Sequence, residues 1–239
     1  MSRYSELTQA LPLPQPLKYL VPRISDLGSP GGGVFCLLYN CCMSSRQPKF
    51  SIGIDEVGRG PLAGPVAVGA LFATHEVIRK FKEIKESKQL TPRQRDEWYA
   101  QICDAKGECL GFTVSFVSAH EIDRRGIAPA IRKALARAIR KLNVQPEDCH
   151  VLLDGGLRAP EEYRSQRTII RGDATHTVIA MASVVAKVLR DRKMVRLDKK
   201  YPRYGLAVHK GYGTKTHVRA IKTLGPSAEH RRTFLRRII

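Results

Sequence analysis

The sequence predicts an α/β fold, a mixed β-sheet flanked by helices. Three observations carry that reading. Short β-branched runs cluster early in the chain, later apolar runs alternate with helical stretches, and helix-start signatures fall between them.

Phe50 to Asp55 is apolar and β-branched and reads as a first strand. A Gly/Pro-rich turn from Gly58 to Pro65 separates it from a second strand, Val66 to Phe72. Thr91-Pro92-Arg93-Gln94 starts a helix, with Thr91 as N-cap, Pro92 at the first helical position and Gln94 closing a capping box. That helix is expected to run to about Ala105. Leu110 to Val117 is a third strand, and Ser118-x-x-Glu121 a second capping box before a short helix. Ala128 to Leu142, rich in Ala, Leu, Arg and Lys, is a helix. Val151 to Asp154 and Thr168 to Arg171 read as short strands, each running into glycine. Thr177 to Lys200 is a long helix, and Thr216 to Leu224 a last one, stopped by Gly225.

Residues 1–48 differ from the rest. Pro12, Pro14, Pro16 and Pro22 break any helix, and Gly28 to Gly33 reads as a linker. Met43 then opens a stretch that resembles a natural protein start. Two readings stand for this segment: a disordered extension, or an upstream start foreign to the native protein.

The chain of 239 residues carries 41 Lys+Arg against 22 Asp+Glu, a net +19. From Lys187 to Ile239 there are 16 basic and 3 acidic residues, so the excess gathers at one end. A basic surface of that density suits a polyanion, nucleic acid first. No apolar run reaches the roughly eighteen residues of a membrane span, and no signal peptide is evident, so a cytoplasmic protein is expected. The six cysteines form no C-x-x-C pair, which fits reduced thiols; Cys103 and Cys149 are expected in the core.

In so basic a chain, the positions of the few carboxylates matter. Asp55 and Glu56 end the first strand, Asp154 ends a later one, and Asp173 follows another, all beside glycines. Any one of them could be a turn former. Together, on neighbouring strands, they would converge at one sheet edge and repel unless a cation neutralised them. Oxygen-only ligands suit Mg²⁺ or Mn²⁺, and two such ions about 3.5–4 Å apart can clamp the attacking and leaving oxygens of a phosphoryl displacement. Gly58-Arg59-Gly60, directly after the first pair, lets backbone approach a ligand closely.

The stretch from Gly53 to Val66 (GIDEVGRGPLAGPV) closely resembles the opening motif of ribonuclease HII. Ser87-Lys88, Leu153-Asp154-Gly155, Lys187 with Arg190-Asp191, GLAVHKGYGTKTH from Gly205 to His217, and Glu229-His230-Arg231-Arg232-x-Phe234 are also similar to that family. The resemblance covers about residues 49–235. It implies a ribonuclease-H-like catalytic domain over 49–239, with a basic helical carboxyl-terminal part. It also implies an endonuclease that cuts the RNA strand of RNA–DNA hybrids and single ribonucleotides in duplex DNA, with Mn²⁺ or Mg²⁺ as cofactor.

On the matching positions, the resemblance makes Asp55, Glu56, Asp154 and Asp173 the metal-binding and catalytic set. It makes Gly58, Arg59 and Gly60 the turn that contacts a ribonucleotide 2′-hydroxyl, and Tyr212 the reader of the RNA–DNA junction. Lys88 and Lys187 are candidate phosphate contacts, while Asp191 is expected to pair with a neighbouring Arg. The seven histidines show no catalytic spacing; His209 and His217 are placed near the site without a role. Gln89 and Ala174 depart from the Lys and Ser common in the family, and neither change removes a carboxylate. The alternatives are ribonuclease HIII and a non-catalytic nucleic-acid-binding protein. One chain suffices for the site, so a monomer is expected, and a contact with a replication clamp is not readable.

Overall fold

The structure, a computed structural model, describes residues 48–239 apart from 108 and 237. The expectation for residues 1–48 therefore lies, Pro48 apart, outside it.

Five strands build one mixed sheet: β1 (Phe50–Val57), β2 (Val66–Ala73), β3 (Leu110–Val117), β4 (Cys149–Asp154) and β5 (Gln166–Ile169). Their order is β3-β2-β1-β4-β5, with β1 to β3 an antiparallel meander and β4 and β5 parallel to β1. The parallel pairings need crossovers, which α3 (Ala119–Arg125) and α4 (Ile127–Lys141) supply between β3 and β4.

Alternation along β1 sorts the two faces. Ile52 and Ile54 pack with Val151 and Leu153 of β4 against Ala130, Ile131, Ala134, Leu135, Ala138 and Ile139 of α4. The opposite face carries α6 (Thr177–Lys200), whose first half is almost wholly buried. There Gly53 leaves room for the helix backbone; a Cβ would stand 2.1 Å from the Val178 carbonyl oxygen. Asp55 and Asp154 fall on this α6 face, one step beyond the Ile54–Leu153 pair. The register alone puts two carboxylates side by side.

Before α6 come α1 (His75–Lys80), α2 (Pro92–Asp104) and α5 (Gly172–Thr175); after it come α7 (Leu206–His209), α8 (Lys215–Leu224) and α9 (Arg232–Leu235). The α2 capping box forms as the sequence predicts: Gln94 N–H donates to Thr91 Oγ1 at 3.3 Å and Thr91 N–H to Gln94 Oε1 at 2.9 Å. In the α3 box only the Ser118 half forms, at 3.3 Å. Glu121 turns instead to Arg125 and Lys133, each at 2.8 Å, and to Arg124 at 3.2 Å, because three cations outweigh one backbone N–H.

Two expectations need correction. The fifth strand begins earlier and stops at Ile169, because its ladder with β4 ends at the Asp154–Ile169 pair. Ile170 then projects 85 % exposed, and Arg171 adopts the left-handed conformation (φ 54°) that turns the chain back under the sheet. Cys149 is buried as expected, with its thiol bonded to the Gln145 carbonyl, whereas Cys103 is only half-buried. No helix among the described residues is long and apolar enough to cross a membrane.

Candidate active site

The four carboxylates come from three elements meeting at the carboxyl-terminal edge of β1 and β4. Asp55 and Glu56 sit at the end of β1, Asp154 at the end of β4, and Asp173 on the single turn of α5. Asp154 Oδ1 accepts a hydrogen bond from the Gly172 N–H at 2.7 Å, which ties that turn to the strand end. Gly172 has no room for a side chain: a Cβ would lie 2.6 Å from Ile179 Cδ1 and 3.3 Å from Ile169 Cβ.

Burial and mutual repulsion dominate the electrostatics here. Asp55 is pushed up to about 8, first by desolvation and then by Glu56, Asp154 and Asp173, against a lowering hydrogen bond from Ser183. Glu56 is also raised, chiefly by burial, although Arg59 lies 3.5 Å away. For Lys88, burial alone would lower the ammonium, but Asp173 and Asp55 outweigh it and raise the group. Its Nζ stands 3.6 Å from Asp173 Oδ2, an ion pair beyond hydrogen-bond reach. That oxygen is buried and has no hydrogen-bond partner.

An orphaned buried carboxylate oxygen, beside an Asp that holds its proton because it is buried and has acidic neighbours, is the chemistry that a hard cation relieves. The donor set of Asp55, Glu56, Asp154 and Asp173 therefore fits Mg²⁺ or Mn²⁺. Among the described residues, no three His, Cys, Asp or Glu side chains form a closed, ready-made cage. The four acids share an edge rather than a single point.

The turn that follows β1 is held from below by two arginines with no exposed surface. Arg231 donates to the carbonyls of Gly58 (2.7 Å), Arg59 (2.9 Å) and Gly64 (3.0 Å). Arg190, from α6, donates to Pro65 O at 3.0 Å and to Lys210 O at 3.3 Å. Burial pushes Arg231 down to about 9, still a cation at neutral pH, and carbonyl dipoles rather than a carboxylate solvate it. The guanidinium fork is what lets one side chain hold three points of a turn.

Tyr212 lies against the same turn and is 43 % exposed. Leu62 N–H donates to Gly211 O at 2.8 Å, and Gly211 takes φ 85° with a Cβ position 2.4 Å from the Ala63 carbonyl oxygen. Only glycine fits there. The structure thus gathers Asp55, Glu56, Asp154, Asp173 and Lys88 at one edge, with the Gly58–Gly60 turn and the Tyr212 loop packed together beside it, whereas Lys187 faces Asp191 and Arg95. Lys187 is bonded to Asp191 at 2.9 Å, so Asp191 pairs with a lysine of its own helix and not with an arginine.

This arrangement, an acidic strand edge beside a pinned Gly-Arg-Gly turn and a tyrosine loop, has close relatives. The family described as Ribonuclease HII matches residues 52–237. The chain belongs to the ribonuclease HII family. Ribonuclease HII of Geobacillus kaustophilus (strain HTA426) is 46 % identical over 182 residues, covering 76 % of this chain and 66 % of that one. Ribonuclease HII of Coxiella burnetii (strain Dugway 5J108-111) is 42 % identical over 182 residues, covering 76 % of this chain and 86 % of that one. Among solved structures, ribonuclease H2 from Pyrococcus horikoshii OT3 matches with a TM-score of 0.61 at 26 % identity, over 79 % of this chain and 96 % of the other. Membership places the chain among the metal-dependent endonucleases of the ribonuclease H type, and the non-catalytic reading gives way.

Sequence reasoning did not assign roles to Ser183, Arg190, Arg231 or His230. Ser183 supports Asp55 and is itself bonded to Ser87 at 2.8 Å. Arg231 and His230 lie in the family-like segment from Glu229 to Phe234, which is their one signal in the sequence. A buried cation held by distant backbone carbonyls leaves no pattern in a sequence.

Proposed function

We propose that this ribonuclease HII family member hydrolyses the RNA strand of RNA–DNA hybrids and incises 5′ of single ribonucleotides embedded in duplex DNA. The products carry 3′-hydroxyl and 5′-phosphate ends. The observation that carries the reading is the acidic edge of Asp55, Glu56, Asp154 and Asp173 with the unpartnered Asp173 Oδ2. When bound, two divalent ions supply Lewis acidity at the attacking and leaving oxygens of the displacement.

The chain's own residues do the rest. Asp55 gives up its proton to hold a cation, helped by the Ser183 hydroxyl. Lys88, largely exposed beside Asp173, is placed to meet a phosphate oxygen, while Lys187, tied to Asp191, contributes less. The carbonyls of Gly58 and Arg59 turn inward to Arg231, so contact with a 2′-hydroxyl falls to the N–H groups of Gly58, Arg59 and Gly60 and to the exposed Arg59. Tyr212 offers a ring face for stacking on the nucleotide at the junction, a contact worth about 1–3 kcal/mol. The concentration of basic residues after Lys187 supports binding of the flanking phosphates.

The test is cleavage of a duplex carrying one ribonucleotide, with and without Mn²⁺, by the full chain and by Asp55→Asn and Asp154→Asn. Cleavage at the 5′ side of the ribonucleotide that needs the ion and is lost in both variants is expected. Unchanged activity in either variant refutes the site.

A further inference from the structure

Three histidines lie beneath the Tyr212 loop, and their hydrogen bonds allow one set of tautomers. His217 is fully buried and His230 is 2 % exposed. The Ser227 N–H points at His230 Nδ1 (3.0 Å), so Nδ1 accepts and the proton of His230 sits on Nε2. That Nε2–H faces His217 Nε2 at 3.1 Å, which must accept. His217 then carries its proton on Nδ1 and donates it to the Tyr212 carbonyl at 2.9 Å. Each ring's role forces the next.

His209 completes the arrangement from the other side. Its ring stacks on His217 at 4.2 Å and 22°. Its Nδ1 accepts the Gly211 N–H at 3.2 Å, and its Nε2–H donates to the Tyr204 carbonyl at 2.8 Å. The peptide units on both sides of Gly211 and Tyr212 are thus gripped by imidazoles. The grip has something to hold, since Lys210 sits in the left-handed region (φ 52°), a strained place for a side-chain-bearing residue.

We propose that His217 and His230, with His209, are positioning residues that fix the Tyr212 ring for junction recognition. None of the three needs to touch substrate: the chain of bonds begins at one backbone N–H and ends at a backbone carbonyl. A protonated His217, or a reversed ring at either position, would set donor against donor or acceptor against acceptor at the 3.1 Å contact, and a protonated His230 would turn an Nδ1–H against the Ser227 N–H at 3.0 Å. Burial first, and the neighbouring histidines, lower His217 and His230, which keeps the relay neutral.

The inference rests on the junction-reading role proposed for Tyr212, and the experiment separates the two. In the full chain, His217→Leu, His230→Leu and Tyr212→Ala are compared singly and combined, scoring kcat/KM on a single embedded ribonucleotide against a uniform hybrid. Each histidine variant is expected to lower that ratio about tenfold, with no further loss in the Tyr212→Ala background. His217→Asn, whose amide still donates to the Tyr212 carbonyl, is expected to recover most of it, and serves in place of a Leu variant that does not fold. Hydrogen exchange is expected to show faster amides at Gly211 to Thr214 in the histidine variants, with the sheet unchanged. Additive losses, or unchanged exchange in this loop, overturn the relay. If Tyr212→Ala leaves the ratio unchanged, the role of Tyr212 falls, and the exchange result alone decides whether the histidines hold the loop.

Discussion

Asp154 Oδ1 and the backbone N–H of Gly172 are joined at 2.7 Å. This one bond couples the end of β4 to the turn bearing Asp173, so two of the four carboxylates are placed as a unit. The same Asp154 neighbours Asp55 across the parallel β1–β4 pair. Three carboxylates are therefore positioned relative to one another by the β1–β4 register and by this one bond from a backbone N–H to a side chain.

Gly172→Ala tests that coupling. The added methyl would press on Ile179 and Ile169, which are packed around it, and the turn would have to move outward. A stability loss of about 1–2 kcal/mol is expected from overpacking. Turnover should fall at least about tenfold, because displaced ligands lose the productive geometry. Thermal melting together with kcat on a hybrid checks both.

Asp55→Asn is expected to abolish activity and yet stabilise the fold when divalent ions are chelated. The folded-state pKa of Asp55 is raised from 3.8 to about 8. Between those values the folded chain holds a proton that the unfolded chain has released, so stability drains away as pH rises from 3.8 through 8. The amide escapes that loss, and its advantage should grow from nothing at low pH to roughly 2–4 kcal/mol near pH 8. Adding Mn²⁺ should narrow or reverse the gap, since the ion binds the folded wild-type chain. Melting curves at pH 4 and pH 8, with chelator and with Mn²⁺, decide it.

Ser183→Ala removes the hydroxyl that lowers Asp55. The carboxyl then rises further, protons compete better with the cation, and more Mn²⁺ is needed for half-maximal rate. The effect should be larger at pH 7 than at pH 9, with the acid limb of the pH–rate profile moved to higher pH. Ser87→Ala, one bond further away through the 2.8 Å Ser87–Ser183 contact, should act in the same direction and more weakly.

Arg231→Lys keeps the charge and loses the fork. A single ammonium cannot span the carbonyls of Gly58, Arg59 and Gly64, and at least one is left buried and unpaired. We expect about 2–4 kcal/mol of destabilisation. Selectivity for a ribonucleotide over a deoxyribonucleotide should fall more than activity on a uniform hybrid, as read by competition between the two substrates.

Much of the fold was legible because it is written in local patterns. The β-branched run at Phe50, the Thr91–Gln94 box and the glycine stop at Gly225 act within a few residues, and each appears where expected. Where a long-range partner intervened, the local reading slipped. Glu121 abandoned its box for cations on α3 and α4, and β5 ended where its ladder with β4 ran out. Asp55 and Asp154 could be paired from strand ends and alternation, whereas Asp173, on the turn of α5, is brought to them by the bond between Gly172 and Asp154.

The sequence by itself determined the α/β class, the positions of the four carboxylates, the Gly-Arg-Gly turn, Tyr212 and the excess of positive charge. Tertiary structure alone decided that Arg190 and Arg231 hold the turn from beneath, and that Ser183 answers Asp55. It also decided that His230 reaches the Tyr212 loop through His217. The physical reason is separation along the chain. Arg231 and Gly58 lie 173 residues apart, and Arg190 and Pro65 lie 125 apart. A buried cation or imidazole takes its meaning from groups that only folding brings within hydrogen-bond reach.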